Sequence, residues 1–359
     1  MKYCIYIFLL LLLGSCLREE AAKKPFRSFV PKDFQDGWEI STPANENIDS
    51  LSLARIYEDF HSRTDTWQAR SLLVFRNGKL VAESYTKFDE DATKPRLVQS
   101  CTKQVLGILT GIAIEKGFIG SINDSISKYI PEAIDYPDKK NITIEQLLTM
   151  SSGINYENGG MGGQNFDLLT QKPNSLVRFI LERPLANHPG DIAIYKDCDP
   201  QLVSVCIQNR IGEKTSNWAK EVLFDPMNIQ HLYWMDYKDG YTLGGVGIFA
   251  TPRELAKFGQ LVMDSGVYKG NRLVSKQWVK EMTAVRAQNV YGTQFGYLWR
   301  LDSGNHRIMM MGHGGQLVCV QPEQRLIVVI TAEANTQGDY QMPFYINFDF
   351  VDRIKALCK

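Results

Sequence analysis

Val98-Gln99-Ser100-Cys101-Thr102-Lys103 leads into Val105-Leu106-Gly107-Ile108-Leu109, and the apolar run continues through Ile112 and Ala113. The run reads as a buried helix. Residues three apart lie on one helix face, so the Ser100 hydroxyl and the Lys103 amine project together from its first turn. Unpaired backbone N–H groups and the positive end of the helix dipole favour negative charge there. A serine is a weak nucleophile at its own pKa and needs a neighbouring proton acceptor. Lys103 supplies a cation or, if desolvated, a base. The plainer alternative is a capping serine beside a solvated lysine.

The 359 residues include 40 basic and 40 acidic ones and are 44% hydrophobic, enough for a substantial core in one large domain or two. Formal neutrality gives no electrostatic case for nucleic acid or an anionic membrane surface. At the N-terminus, Lys2 precedes an apolar run from Cys4 to Leu13 and then Gly14-Ser15-Cys16. This is shorter than the roughly 20 residues of a spanning helix and fits a secretory signal. Leu13-Gly14-Ser15-Cys16 resembles a bacterial lipobox, in which the cysteine becomes the lipidated first residue. On that reading, 1–15 is a signal peptide and the protein is exported and held at a bacterial membrane by acyl chains on Cys16. The alternative is an ordinary secretory cleavage site before a cysteine.

Beyond Cys16, Cys101, Cys198, Cys206, Cys319 and Cys358 remain, an odd number that cannot all pair internally. The five histidines have no metal-ligand spacing and H-E-x-x-H is absent, so neither a metal nor another cofactor is expected.

Residues 16–46, polar and irregular around Lys23, Lys24 and Pro25, read as a tether. Asp49 or Ser50 caps a helix that turns Leu53, Ile56, Tyr57 and Phe60 to one side. Leu72–Phe75 and Leu80–Ala82 flank Asn77-Gly78, a two-residue hairpin signal. Thr143 opens a helix, and the Gly- and Asn-rich loop from Ser151 to Gly163 is either a surface connection or a gate. Pro189-Gly190 marks a turn, and Gln201–Ile211 and Trp218–Phe224 look helical. Gly244-Gly245-Val246-Gly247 lacks the G-K-[ST] of a phosphate loop and suits a turn with close packing. Pro252 starts a helix after Thr251. Phe295–Leu301, Ile308–Met311, Leu317–Val320 and Leu326–Ile330 read as strands, and a last helix follows Pro343. Strands lie at both ends of the chain and helices in the middle. The simplest architecture is α/β (α+β): an antiparallel sheet flanked by helices, from 47–100 and 245–359, with a mostly helical domain, 101–244, inserted.

Several separated segments resemble one family, the serine β-lactamase-like hydrolases. The family includes class C β-lactamases, D-alanyl-D-alanine carboxypeptidases, family VIII esterases and 6-aminohexanoate-oligomer hydrolases. Ser100-Cys101-Thr102-Lys103 matches its first motif. Ile144 to Ile154 resembles I-x-x-L-L-T-H-T-S-G-L. Tyr195-Lys196-Asp197 stands where Y-x-N or Y-x-S is expected, and Gly244 to Gln260 resembles G-G-L-x-S-T-A-x-D-L-A-R-F-G-Q. Gly312-His313-Gly314-Gly315-Gln316 stands at the third motif, K-T-G or H-x-G. The segments run in order from about Ile48 to Ala332. The resemblance implies a β-lactamase/transpeptidase-like fold and an acyl-enzyme.

Such a site needs a nucleophile, a base, an oxyanion hole and an acid for the leaving group. Ser100 is the candidate nucleophile and Tyr195 the candidate base. Lowering a phenol from about 10 to 7 takes roughly 4 kcal/mol. One cation about 4 Å away supplies that much at an effective dielectric of about 20. Lys103 does this if it stays charged; if desolvated, it takes the proton itself. The resemblance implies an oxyanion hole from the backbone N–H groups of Ser100 and Gln316. Gly315 leaves the backbone open to substrate, and His313 is placed to polarise, donate or contact.

Two departures bear on substrate. His313-Gly314-Gly315 replaces Lys-Thr-Gly and loses a fixed cation and a hydroxyl. Asp197 replaces an amide, would repel an anion and could pair with Lys103. Both favour a neutral or cationic ester, amide or peptide-like substrate over efficient β-lactam turnover. The competing expectations are a peptidoglycan D,D-carboxypeptidase or weak β-lactamase, and a non-catalytic penicillin-binding-like sensor.

Overall fold

The computed structural model describes residues 22–156, 172–289, 291–334 and 342–359. Cys16, the 1–15 signal and residues 157–163 of the Ser151–Gly163 loop lie outside them. A nine-stranded sheet runs β1 (Glu39–Ile40), β3 (Lys79–Tyr85), β2 (Ala69–Arg76), β14 (Leu326–Ala332), β13 (Gln316–Gln321), β12 (Arg307–Gly312), β11 (Arg300–Asp302), β10 (Gln294–Phe295) and β9 (Ala287–Gln288). All neighbours are antiparallel except β1, which runs parallel to β3. Strands from near the start of the chain therefore pair with strands from its end: Leu73 on β2 faces Val329 on β14. A small sheet joins β4 (Arg96–Leu97), β6 (Ile248–Ala250) and β5 (Tyr233–Trp234), and β7 (Val267–Tyr268) pairs with β8 (Asn271–Arg272).

The sheet is buried on both faces, which is why the middles of its central strands, Leu72–Phe75, Leu317–Val320 and Leu326–Ile330, are continuously apolar rather than alternating with polar residues. Leu73, Phe75, Val318, Val320, Ile327 and Val329 meet the helices Cys101–Glu115 and Pro252–Met263. Their neighbours Leu72, Val74, Leu317, Cys319, Val328 and Ile330 meet Ser50–Ser62 and Phe344–Lys355 on the opposite face. Asp49 caps the first of these helices, and Thr143 and Thr251 each close a capping box. At the β2–β3 turn, Asn77 (φ 53°) and Gly78 (φ 81°) are both left-handed, as a two-residue hairpin requires.

Three expectations change. Phe295–Leu301 is not one strand: the chain turns between β10 and β11, with Leu298 at φ 63°. Leu298 N–H donates to Leu148 O (2.9 Å), and its carbonyl accepts from Gln104 Nε2 (2.7 Å). Trp218–Phe224 divides into the end of an α-helix, Thr215–Ala219, and one π-helical turn, Lys220–Phe224. From residue 22 onward the stretch read as a tether is a strap laid on the body. Lys23 Nζ donates to Phe60 O and Arg63 O, both 2.8 Å, and Glu83 N–H donates to Phe29 O (2.8 Å). Phe26 and Phe29 pack on Tyr57, with ring centroids 5.9 and 5.4 Å away.

Candidate active site

Ser100 occupies the N-cap position of Cys101–Glu115 but makes no capping bond with its side chain. Its Oγ instead accepts from Lys103 Nζ at 2.8 Å. Lys103 is fully buried, so the capping-serine and solvated-lysine alternative does not hold. Gln99, just before the serine, has φ 55° and is buried. This is a costly conformation for a residue with a Cβ and is held by its surroundings. Thr102 Oγ1 donates to Gln99 O (2.8 Å) and accepts from Ile248 N–H (3.1 Å), fastening this turn to β6.

Lys103 Nζ meets two further acceptors, Gly245 O at 2.6 Å and Asp197 Oδ1 at 2.5 Å. An amine set among two hydrogen-bond acceptors, a carboxylate and a phenol is favoured as the ammonium, which carries no lone pair. Burial alone pushes the Lys103 pKa down. The Asp197 carboxylate, aided by the Tyr195 phenol through charge and hydrogen bonding, outweighs it and holds the pKa above the ordinary lysine value. The ammonium lies 5.0 Å from the centre of the Tyr195 ring.

Asp197 begins Cys198–Ile211 without capping it through its side chain, which leaves the carboxylate for Lys103. The Tyr195–Asp197 corner is held from below. Lys196 Nζ donates to Ile154 O (3.1 Å) and Ser152 Oγ (3.4 Å), and Ser152 Oγ donates to Asp199 Oδ1 (2.5 Å). The Gly244-Gly245 pair is explained by close approach: a Cβ on Gly244 would sit 2.1 Å from Pro200 O, and one on Gly245 3.0 Å from Asp197 Oδ1.

His313, Gly314 and Gly315 form the turn between β12 and β13. A Cβ on Gly312 would lie 2.3 Å from Val98 O, so the base of this turn rests on the segment leading to Ser100. Gly314 (φ +83°) and Gly315 (φ +99°) need left-handed backbone. Burial lowers the pKa of half-buried His313, keeping its imidazole neutral near pH 7. The Gln316 side chain turns back to the sheet: Nε2 donates to Ala332 O (2.5 Å), and Oε1 accepts from Ala332 N–H (3.2 Å). Only its backbone can serve a substrate.

Sequence reasoning missed three groups here. Gly245 contributes a carbonyl, which carries no residue signature. Arg300 has its guanidinium 4.7 Å from the centre of the Tyr195 ring and 5.4 Å from that of Phe295. Its Nε is buried and meets no acceptor among the described residues. Asn347 Nδ2, from the helix near the C-terminus, donates to Gly315 O at 3.0 Å. Neither Arg300 nor Asn347 sits in a recognisable motif. Among the described residues the five cysteines after Cys16 are unpaired, and burial raises the Cys101 thiol to about 12. No group of three or more His, Cys, Asp or Glu side chains among them is placed to hold a metal.

Comparison with known proteins gives a consistent result. The sequence model of the family described as Beta-lactamase matches residues 68–347. A Salmonella enteritidis protein named "Putative D-alanyl-D-alanine carboxypeptidase" is 21% identical over 373 residues, covering 81% of this chain and 84% of the relative. The fold is similar to that of the "Putative 6-aminohexanoate-dimer hydrolase from Bacillus anthracis", with TM-score 0.73, 15% identity and coverage of 95% of this chain and 92% of that one. It is also similar to a penicillin-binding protein homolog from Caulobacter crescentus, with TM-score 0.66, 13% identity and coverage of 86% and 95%.

Proposed function

The chain belongs to the beta-lactamase family, whose members share a serine-hydrolase fold, and from that premise we propose that it cleaves ester or amide bonds through an acyl-enzyme on Ser100. The observation that carries this reading is the setting of Lys103 Nζ, which hydrogen-bonds Ser100 Oγ and Gly245 O and is paired with the Asp197 carboxylate. A lysine so engaged is a cation rather than a base, and the proton of Ser100 passes to Tyr195. Tyr195 acts as the general base and takes the hydroxyl proton as Oγ forms a bond to the carbonyl carbon. The resulting oxyanion accepts from the N–H groups of Ser100 and Gln316, and each such donor contributes about 10²–10³ in rate. Tyr195 then returns the proton to the leaving alcohol or amine as the acyl bond breaks. Water repeats the sequence on the acyl-enzyme and releases the acid.

Arg300 revises the expectation for substrate. A cation is still present beside the site: the Arg300 guanidinium lies 4.7 Å from the centre of the Tyr195 ring, and its Nε meets no acceptor among the described residues. Asp197 is neutralised by Lys103 and is a weak source of repulsion. These features favour an acyl substrate with a carboxylate near the scissile bond, the class shared with a D,D-carboxypeptidase. The protein is further proposed to be exported and lipid-anchored through Cys16.

The test treats detergent-solubilised full-length protein with a fluorophosphonate probe and locates the adduct by mass spectrometry. Turnover of a p-nitrophenyl ester, an acyl-dipeptide with a free carboxylate and a chromogenic β-lactam is measured alongside. The expected result is an adduct on Ser100, loss of turnover in Ser100→Ala, and loss of about 10²–10⁴ in kcat in Tyr195→Phe. Absence of both adduct and turnover would support the sensor alternative and sink the hydrolase reading.

A further inference from the structure

We propose that Asn347 is the positioning residue of the oxyanion hole, an inference that rests on the hydrolase reading above. Asn347 is fully buried on the Phe344–Lys355 helix, which packs on the face of the sheet opposite Cys101–Glu115. Its Nδ2 donates to Gly315 O at 3.0 Å. In a trans peptide the C=O and the following N–H point in opposite directions within one plane. With Gly315 O held toward the C-terminal helix, the Gln316 N–H is aimed at the face that carries Ser100. The bond at the oxygen also polarises the peptide and strengthens the donor at its other end.

Neighbouring contacts hold the same plane. The Gln316 side chain is fixed to both backbone groups of Ala332. Met342 packs so close that a Cβ on Gly315 would lie 2.9 Å from its own Cβ. Asn347 Oδ1 is buried and meets no donor among the described residues. A half-satisfied buried amide detracts from stability. Its presence at this position is accounted for by the one bond it makes to Gly315.

The experiment compares wild type with Asn347→Leu and Asn347→Asp, using p-nitrophenyl acetate and phenylboronic acid. The boronate forms a tetrahedral adduct on a nucleophilic serine and places an oxygen in the oxyanion hole. A misdirected donor is expected to lower kcat about 10- to 100-fold, part of the effect of losing one outright, with KM changed less than about threefold. Boronate affinity should fall by the same factor while thermal midpoints stay near wild type. The aspartate keeps the shape of the amide and donates only when protonated, so its kcat relative to wild type should rise as pH is lowered. Folded variants that keep wild-type kcat and boronate affinity would overturn the proposal and leave the hydrolase reading intact. So would a loss of kcat that only tracks the unfolded fraction. A wild type that neither cleaves the ester nor binds the boronate would remove the hydrolase reading and this role together.

Discussion

Asp197 sets the charge on which the site depends. Lys103 has no exposed surface, and burial of that degree ordinarily discharges an amine. The carboxylate 2.5 Å away reverses the balance. Because the pKa of Lys103 is raised in the folded protein, the pair contributes stability fully below the ordinary lysine value of 10.5 and loses it as pH rises through the raised value. Asp197→Asn removes the negative charge, keeps an acceptor and lowers the pKa of Lys103. The alkaline limb of kcat/KM against pH should therefore move to lower pH in the variant, and superimposable profiles would exclude this role. The Ser100–Lys103 pairing was legible in the sequence because helical spacing alone brings residues three apart together. Tyr195 and Asp197 were reached by resemblance to family motifs. Arg300 and Asn347 were not reached at all, because separate strands and helices bring them in through tertiary packing.

At the scale of the element, the helix Cys101–Glu115 is buried nearly along its length, and its two glycines are contact points. Trp278 Nε1 donates to Gly107 O at 3.0 Å, and a Cβ on Gly111 would sit 2.1 Å from Trp278 Cδ1. Gly111→Ala should overpack this contact and cost about 1–3 kcal/mol, read as a lower urea midpoint with little change in the slope. An unchanged or higher midpoint would show that Trp278 moves aside freely. Elements specified by local chemistry were legible: the Asn77-Gly78 turn, the Thr143 and Thr251 caps, and the strands β12 to β14. The bend at Leu298 was not, since an apolar run containing Tyr297, Leu298 and Trp299 suits a straight strand equally well. Hydrogen bonds from Gln104 and to Leu148, both remote in sequence, select the bend.

For the molecule as a whole, the strap lays Phe26 and Phe29 on the sheet face that carries Ser50–Ser62, and His61 fastens it at Lys24. The His61 ring is held by Lys24 O at Nδ1 and Ser84 Oγ at Nε2, both 2.8 Å. The Lys24 carbonyl requires a hydrogen on Nδ1, while the Ser84 hydroxyl can satisfy Nε2 as donor or acceptor. Burial, with a smaller contribution from the Lys23 charge, lowers the His61 pKa below its ordinary 6.5. The unfolded chain then takes up the proton first, so His61 contributes stability above about 6.5 that is lost as pH falls toward the depressed value. Thermal midpoints should drop between pH 7 and 5 in wild type and drop less steeply in His61→Gln; parallel curves would assign the acid sensitivity elsewhere.

On the proposed lipid anchor, the docked strap would also limit where the protein can work. Were Cys16 acylated as proposed, seven residue steps would separate the lipid from the seated Lys23, a contour of at most about 25 Å. An enzyme so tethered would patrol a thin layer beside the bilayer. It would meet molecules embedded in that layer or diffusing along it far more often than those dissolved deeper in the compartment.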